Sequence, residues 1–138
     1  MMFRPVTLQE ANLFLPLVKE HFAQIHSLVA EGQSIHEERS VDVNGSVQKI
    51  ISPEAQKQLE ALELKIKNEV VSLQYYGAIV KSVYPARVDF LSERHKQPVF
   101  LCWQMGDKNI SHWHPVDEGF GTRRAISDPQ VFGSDVIH

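Results

Sequence analysis

The sequence predicts an α+β fold in which a long antiparallel helical hairpin packs against a small, mainly antiparallel β-sheet of three to four strands. Two observations carry that expectation. Residues 7–77 hold two apolar seams at helical spacing, separated by one break, and after Gly77 the helical period gives way to short β-rich runs divided by turn residues. Length supplies a third: 138 residues with 43% apolar and 22% charged side chains suit a single domain, 1–138, able to bury a core without staples.

The first helix starts at Thr7-Leu8-Gln9-Glu10, which has the form of a capping box. Leu8, Ala11, Leu15, Val18, Phe22, Ile25 and Val29 then follow at alternating steps of three and four, which places them on one narrow stripe of the heptad type. Pro16 removes the bond to the carbonyl of Asn12, at a cost of about 3 kcal/mol in an isolated helix, so a kink or a restart is expected near Asn12. Gly32 weakens the far end, and the polar stretch 31–39 either continues the helix or frays.

Between residues 40 and 51 the pattern changes to Val41, Val43 and Val47 around Asn44-Gly45, a dipeptide that tolerates the positive φ of a type I′ turn. This segment is either a small hairpin or an interhelical loop with a turn at its tip. Ser52-Pro53-Glu54 then combines a serine cap, a proline whose missing N–H costs nothing, and an acid at the positive end of the helix dipole. Ala55, Leu59, Leu62, Ile66, Val70 and Leu73 form the second seam, and Gly77 suits the left-handed residue that ends a helix.

Beyond Gly77, residues 79–83, 87–91, 98–105 and 110–114 read as strands of a sheet spanning 78–114. Both faces of Val99-Phe100-Leu101-Cys102-Trp103 are apolar, as in a central strand covered on both sides. Residues 115–126 are expected as an ordered loop and 127–138 as an irregular tail.

A net charge of −3 and a pI near 6.1 give no whole-molecule attraction to phosphate backbones or anionic lipid, which argues against nucleic acid and membranes as partners. No apolar run approaches the ~18 residues needed to cross a bilayer. The start of the chain has no apolar core or small-residue cleavage site of a secretory leader, and Cys102 is the single cysteine. These features together predict a cytoplasmic protein.

Four fragments carry a family resemblance: Phe-Arg-Pro-Val-Thr-Leu-Gln-Glu-Ala-Asn at residues 3–12, Val88-Asp89-Phe90, Leu101-Cys102-Trp103, and Trp113-His114 through Asp117, Gly119, Phe120 and Arg123. In this order and near this spacing, over 3–126, the chain resembles an uncharacterised prokaryotic family, the domain of unknown function 2203. The resemblance implies a helical hairpin followed by a small sheet, and it implies no established activity. His112 stands where the family pattern has an aromatic residue.

The ionisable residues concentrate after Ile110. On a strand, His112 and His114 point to one face about 7 Å apart, a spacing that lets two imidazoles share a metal. Asp117 is a candidate third ligand, and Asp89 a fourth or a partner that orients an imidazole. Such a His and carboxylate set suits a divalent transition metal such as zinc, iron or manganese and the activation of water for hydrolysis. Without a metal, His114 is expected to hydrogen-bond Asp117 or a backbone carbonyl. Arg123, in Asp117-Glu118-Gly119-Phe120-Gly121-Thr122-Arg123-Arg124, is a candidate for holding a carboxylate or phosphate of a small-molecule ligand; the competing role is an ion pair with Asp117 or Asp89. Cys102 reads as a buried, inert thiol, and Trp103 and Trp113 as packing residues.

Two function classes follow. The first is a binding or assembly module that homodimerises through apolar surface on its helical hairpin. The second is a metal-dependent enzyme, a hydrolase by its chemistry, centred on His114 with Asp89, His112, Asp117 and Arg123 as its ligand-binding set.

Overall fold

The computed structural model describes residues 5–38, 40–49 and 51–133; the first four residues of the chain and positions 134–138 of the expected tail lie outside these. Thr7 and Glu10 close the capping box on each other: the Glu10 amide donates to Thr7 Oγ1 at 3.0 Å and the Thr7 amide to Glu10 Oε1 at 2.9 Å. From there α1 (Leu8–Glu38) runs unbroken. The restart expected near Asn12 on account of Pro16 does not occur. The proline lies on the exposed side of the helix, where water can satisfy the carbonyl that it leaves without a partner.

At Gly32 the absent side chain is useful, because a Cβ there would stand 3.8 Å from both Leu59 and Leu62, so the second helix approaches closely. That helix, α2 (Pro53–Gln74), is capped as its sequence implies, with Ser52 Oγ accepting from the Ala55 amide at 3.1 Å and Pro53 in the first turn. Contacts along the hairpin join Phe14 with Tyr76 just past the end of α2, His21 with Glu69, and Gly32 with Leu59. Positions rise along one helix as they fall along the other, so the pair is antiparallel.

Of the two outcomes for 40–51, the hairpin forms: β1 (Ser40–Val43) pairs with β2 (Ser46–Lys49) through Asn44 and Gly45 at φ 52° and 84°.

The main sheet is an antiparallel meander in the order β3 (Ala78–Ser82), β4 (Arg87–Arg94), β5 (Gln97–Gln104), β6 (His112–Pro115) and β7 (Arg124–Ala125). It has five strands rather than three to four, because the segment after Asp117 returns through a 3-10 turn at Phe120–Thr122 and pairs two residues with β6. The expected central strand, β5, does lie in the middle.

Alternation along the strands divides the sheet. Its inner face carries Val88, Phe90, Val99, Leu101 and Trp103, which join Ala11, Leu15, Val18, Phe22 and Ile25 of α1 in one core. The stretch expected as an irregular tail also contributes, since Phe132 is buried and bridges to Arg94. Gly133, at φ +75°, closes this contact: a Cβ there would sit 2.5 Å from Thr7 Cα and Val6 O. The Gly133→Ala variant should therefore lose about 1–3 kcal/mol through overpacking and backbone strain. A thermal melt that matches the parent protein would show that the tail does not dock this way.

Candidate metal centre on the outer face of the sheet

The helices pack on the inner face of the sheet. The other carries Arg87 and Asp89 on β4, Phe100 and Cys102 on β5, and His112 and His114 on β6. Three of these outward residues are nonetheless buried: Asp89, Cys102 and His114 are 4%, 1% and 3% exposed. Buried groups of this kind need partners, and here they are one another's partners. Asp89 lies directly opposite Cys102 in the ladder, while His114, one strand further, reaches back so that its Nε2 stands 3.4 Å from Asp89 Oδ2. One ligand atom from each of the three residues lies within 4.8 Å of the others.

The other ring nitrogen fixes the orientation of the imidazole. His114 Nδ1 is 2.8 Å from the carbonyl oxygen of Pro115, which can only accept, so Nδ1 carries a proton. Nε2 is then the ring nitrogen that faces the cluster. This is the arrangement of most metal-bound histidines, whose second nitrogen donates to a carbonyl or carboxylate and holds the ring in place. The 3.4 Å between Nε2 and Oδ2 is long for a charge-assisted hydrogen bond, which lies nearer 2.8 Å. It matches the edge of a tetrahedron: bonds of about 2.0–2.2 Å to zinc set nitrogen and oxygen ligands about 3.4 Å apart.

A thiol, an imidazole and a carboxylate also invite comparison with a nucleophilic cysteine, but the order is wrong for one. Asp89 touches both other groups, whereas an activated thiol needs the imidazole beside it. Burial pushes the Cys102 thiol well above its ordinary range, and the Asp89 carboxylate adds to that. In the folded, metal-free protein Cys102 should resist an aromatic disulfide reagent at pH 8 and react at once after denaturation. Rapid labelling of the folded protein would contradict this burial. Asp89 is also raised, by desolvation, against the opposing pull of His114, Cys102 and Lys81.

Of the residues that the sequence put forward, the structure unites Asp89 and His114 and leaves three elsewhere. His112 shares the outer face, opposite Cys102, but its Nδ1 faces Ser111 Oγ at 3.1 Å and it lies outside the cluster. Asp117 is exposed and lines a cleft of about 460 Å3 with Arg94, Trp113 and Val116; among the described residues it pairs with neither His114 nor Arg123. Arg123 pairs with Asp107 at 3.4 Å, rather than with Asp117 or Asp89, and stacks on Phe120. Cys102 is buried as expected, and its membership of the cluster is the feature that sequence reasoning missed.

Three of the fragments that carry the family resemblance each supply one member: Asp89 from Val88-Asp89-Phe90, Cys102 from Leu101-Cys102-Trp103 and His114 from Trp113-His114. Among the described residues, no helix is long and apolar enough to cross a membrane. No curated protein and no solved structure matches the chain significantly. The sequence profile of a family described as an uncharacterized conserved protein, DUF2203, matches residues 4–126, and the chain belongs to that family.

Proposed function

We propose that this protein binds one divalent transition-metal ion, with zinc the best match, through Asp89, Cys102 and His114, and uses it to activate water for hydrolysis. The observation that carries the reading is the buried trio itself, with the His114 ring locked by Pro115 so that Nε2 faces Asp89. A soft thiolate, a borderline imidazole and a hard carboxylate together favour zinc over magnesium or calcium. Three protein ligands leave a fourth tetrahedral position for water, as in catalytic rather than structural zinc sites. Burial of the three ligands lowers the local dielectric, which strengthens the pull of the ion on a bound water.

Metal binding must displace the thiol proton and any proton on Asp89, so affinity should rise with pH and uptake should release protons. The test is elemental analysis of protein purified without chelator, paired with titration by Co2+. The reading expects one equivalent of metal and a sulfur-to-cobalt charge-transfer band that vanishes in Cys102→Ser. Parent protein that takes up neither ion would end it.

A second reading, homodimerisation through the helical hairpin of a cytoplasmic protein, is supported by apolar side chains left outside the core. Leu13 and Leu17 of α1 are 71% and 41% exposed, and Leu64, Val71 and Tyr75 of α2 and its C-cap are 59%, 41% and 76% exposed. Their spacings of four, seven and four residues keep each set on one side of its helix, which suits a second copy of the same hairpin. Sedimentation at micromolar concentration should then give twice the mass of one chain; a strict monomer excludes it.

A further inference from the structure

Two cationic side chains, Arg87 and Lys81, stand near the cluster on the outer face. Arg87 is two residues from Asp89 on the same strand, so both side chains leave the same face about 7 Å apart. Its guanidinium carbon lies 4.6 Å from the centre of the Phe120 ring, and that ring also stacks on Arg123 at 4.5 Å. The two guanidinium groups differ in one respect. Arg123 is paired with Asp107, whereas the Arg87 side chain has no hydrogen bond or ion pair among the described residues, and its Nε is buried without an acceptor. A buried donor left unsatisfied costs about 1–3 kcal/mol, and the terminal nitrogens of the same guanidinium, which are not buried, are the atoms that an incoming acceptor can reach. On the neighbouring strand Lys81 has no ion pair among the described residues; its ammonium lies over Phe100, whose ring packs on His114.

We propose that Arg87, supported by Phe120 and Lys81, holds the phosphoryl group of a phosphate-monoester substrate beside the metal. This rests on the metal reading above and names its substrate class. Charge balance selects the ligand. A divalent ion with the carboxylate of Asp89 and the thiolate of Cys102 is neutral, so Arg87 and Lys81 leave two positive charges, which match a phosphate dianion better than a carboxylate. The two terminal nitrogens of a guanidinium can grip two oxygens at once, and stacking on Phe120 fixes the plane of the group. In hydrolysis at this site a water oxygen bonds to phosphorus and the ester P–O bond breaks. One water proton passes to the departing alkoxide, and the products are an alcohol and inorganic phosphate.

Calorimetric titration of zinc-loaded and zinc-free protein with inorganic phosphate, and separately with acetate, tests this. Zinc-loaded parent protein should bind phosphate at least tenfold more tightly than acetate. Arg87→Gln should lower phosphate affinity at least tenfold while still taking up one zinc. Arg87→Lys, which keeps the charge and loses the fork, guards against a misfolded variant and should fall between the two. Phosphate affinity unchanged in both variants, or acetate bound as tightly as phosphate, overturns the subsite. Failure of the parent protein to take up zinc overturns the metal reading alone, and Arg87-dependent phosphate binding in that case still supports the subsite.

Discussion

The His114→Ala variant is expected to bind zinc at least about 100-fold more weakly than the parent protein, and His112→Ala to bind it equally well. Even partners that only orient a metal-bound histidine are worth roughly 10–100-fold in affinity, and the loss of one of three ligands should exceed that. The pair of variants separates two geometries. Both histidines leave the outer face of β6, so strand alternation makes them equivalent. Their surroundings do not: the His114 ring is pinned to Pro115 and directed at Asp89, whereas His112 faces Ser111. Competition against a chromophoric chelator reads both affinities. Equal losses in the two variants would mean that the histidines share the ion, as their spacing alone suggests, and would displace Cys102 from the site.

The helices were legible because their signals are local. A capping box, a serine cap followed by proline, and seams at three and four residues all act within one or two turns, and nothing distant overrides them. Two pieces were not legible. Arg124–Ala125 is too short for any period, and joins the sheet only because the turn at Phe120–Thr122 delivers it to β6. Phe132 is one aromatic in a polar stretch, and its burial depends on Gly133 passing against Thr7 at the other end of the chain.

The metal centre was half legible for a related reason. Asp89 and His114 stood out as ionisable residues, but Cys102, inside an apolar run, could only be read as core. What joins it to Asp89 is register. The hairpin between β4 and β5 turns in two residues, His95 and Lys96, at φ 50° and 67°, with Arg94 paired to Gln97. Counting back from that pair puts 89 opposite 102. Asparagine and glycine normally announce such a turn, and a His-Lys dipeptide gives no such signal, so the sequence showed only a loose connection over 92–97. Both residues, exposed at the tip, adopt the left-handed region, and that two-residue turn sets the thiol beside the carboxylate.

That same juxtaposition predicts opposite effects of one substitution on stability and on metal binding. Burial raises the Asp89 carboxyl above the 3.8 of a free aspartate, despite the counter-pull of His114, Cys102 and Lys81. The folded, metal-free protein then holds this proton more tightly than the unfolded chain does, so the contribution of Asp89 to stability is most favourable below pH 3.8 and declines as pH rises through the folded value. An asparagine side chain cannot ionise and escapes that decline, so the metal-free Asp89→Asn variant should melt above the parent protein at pH 7, with the gap closing toward pH 4. Zinc reverses the order. At a hundredfold excess over its dissociation constant it should stabilise the parent protein by about 2.7 kcal/mol, and the variant, lacking an anionic ligand, hardly at all. Paired melts at several pH values, with and without zinc, measure both effects. A metal-free variant less stable than the parent by the same amount at every pH would make Asp89 a stabilising ion-pair partner, and the case for a centre poised to receive a cation would lose its electrostatic basis.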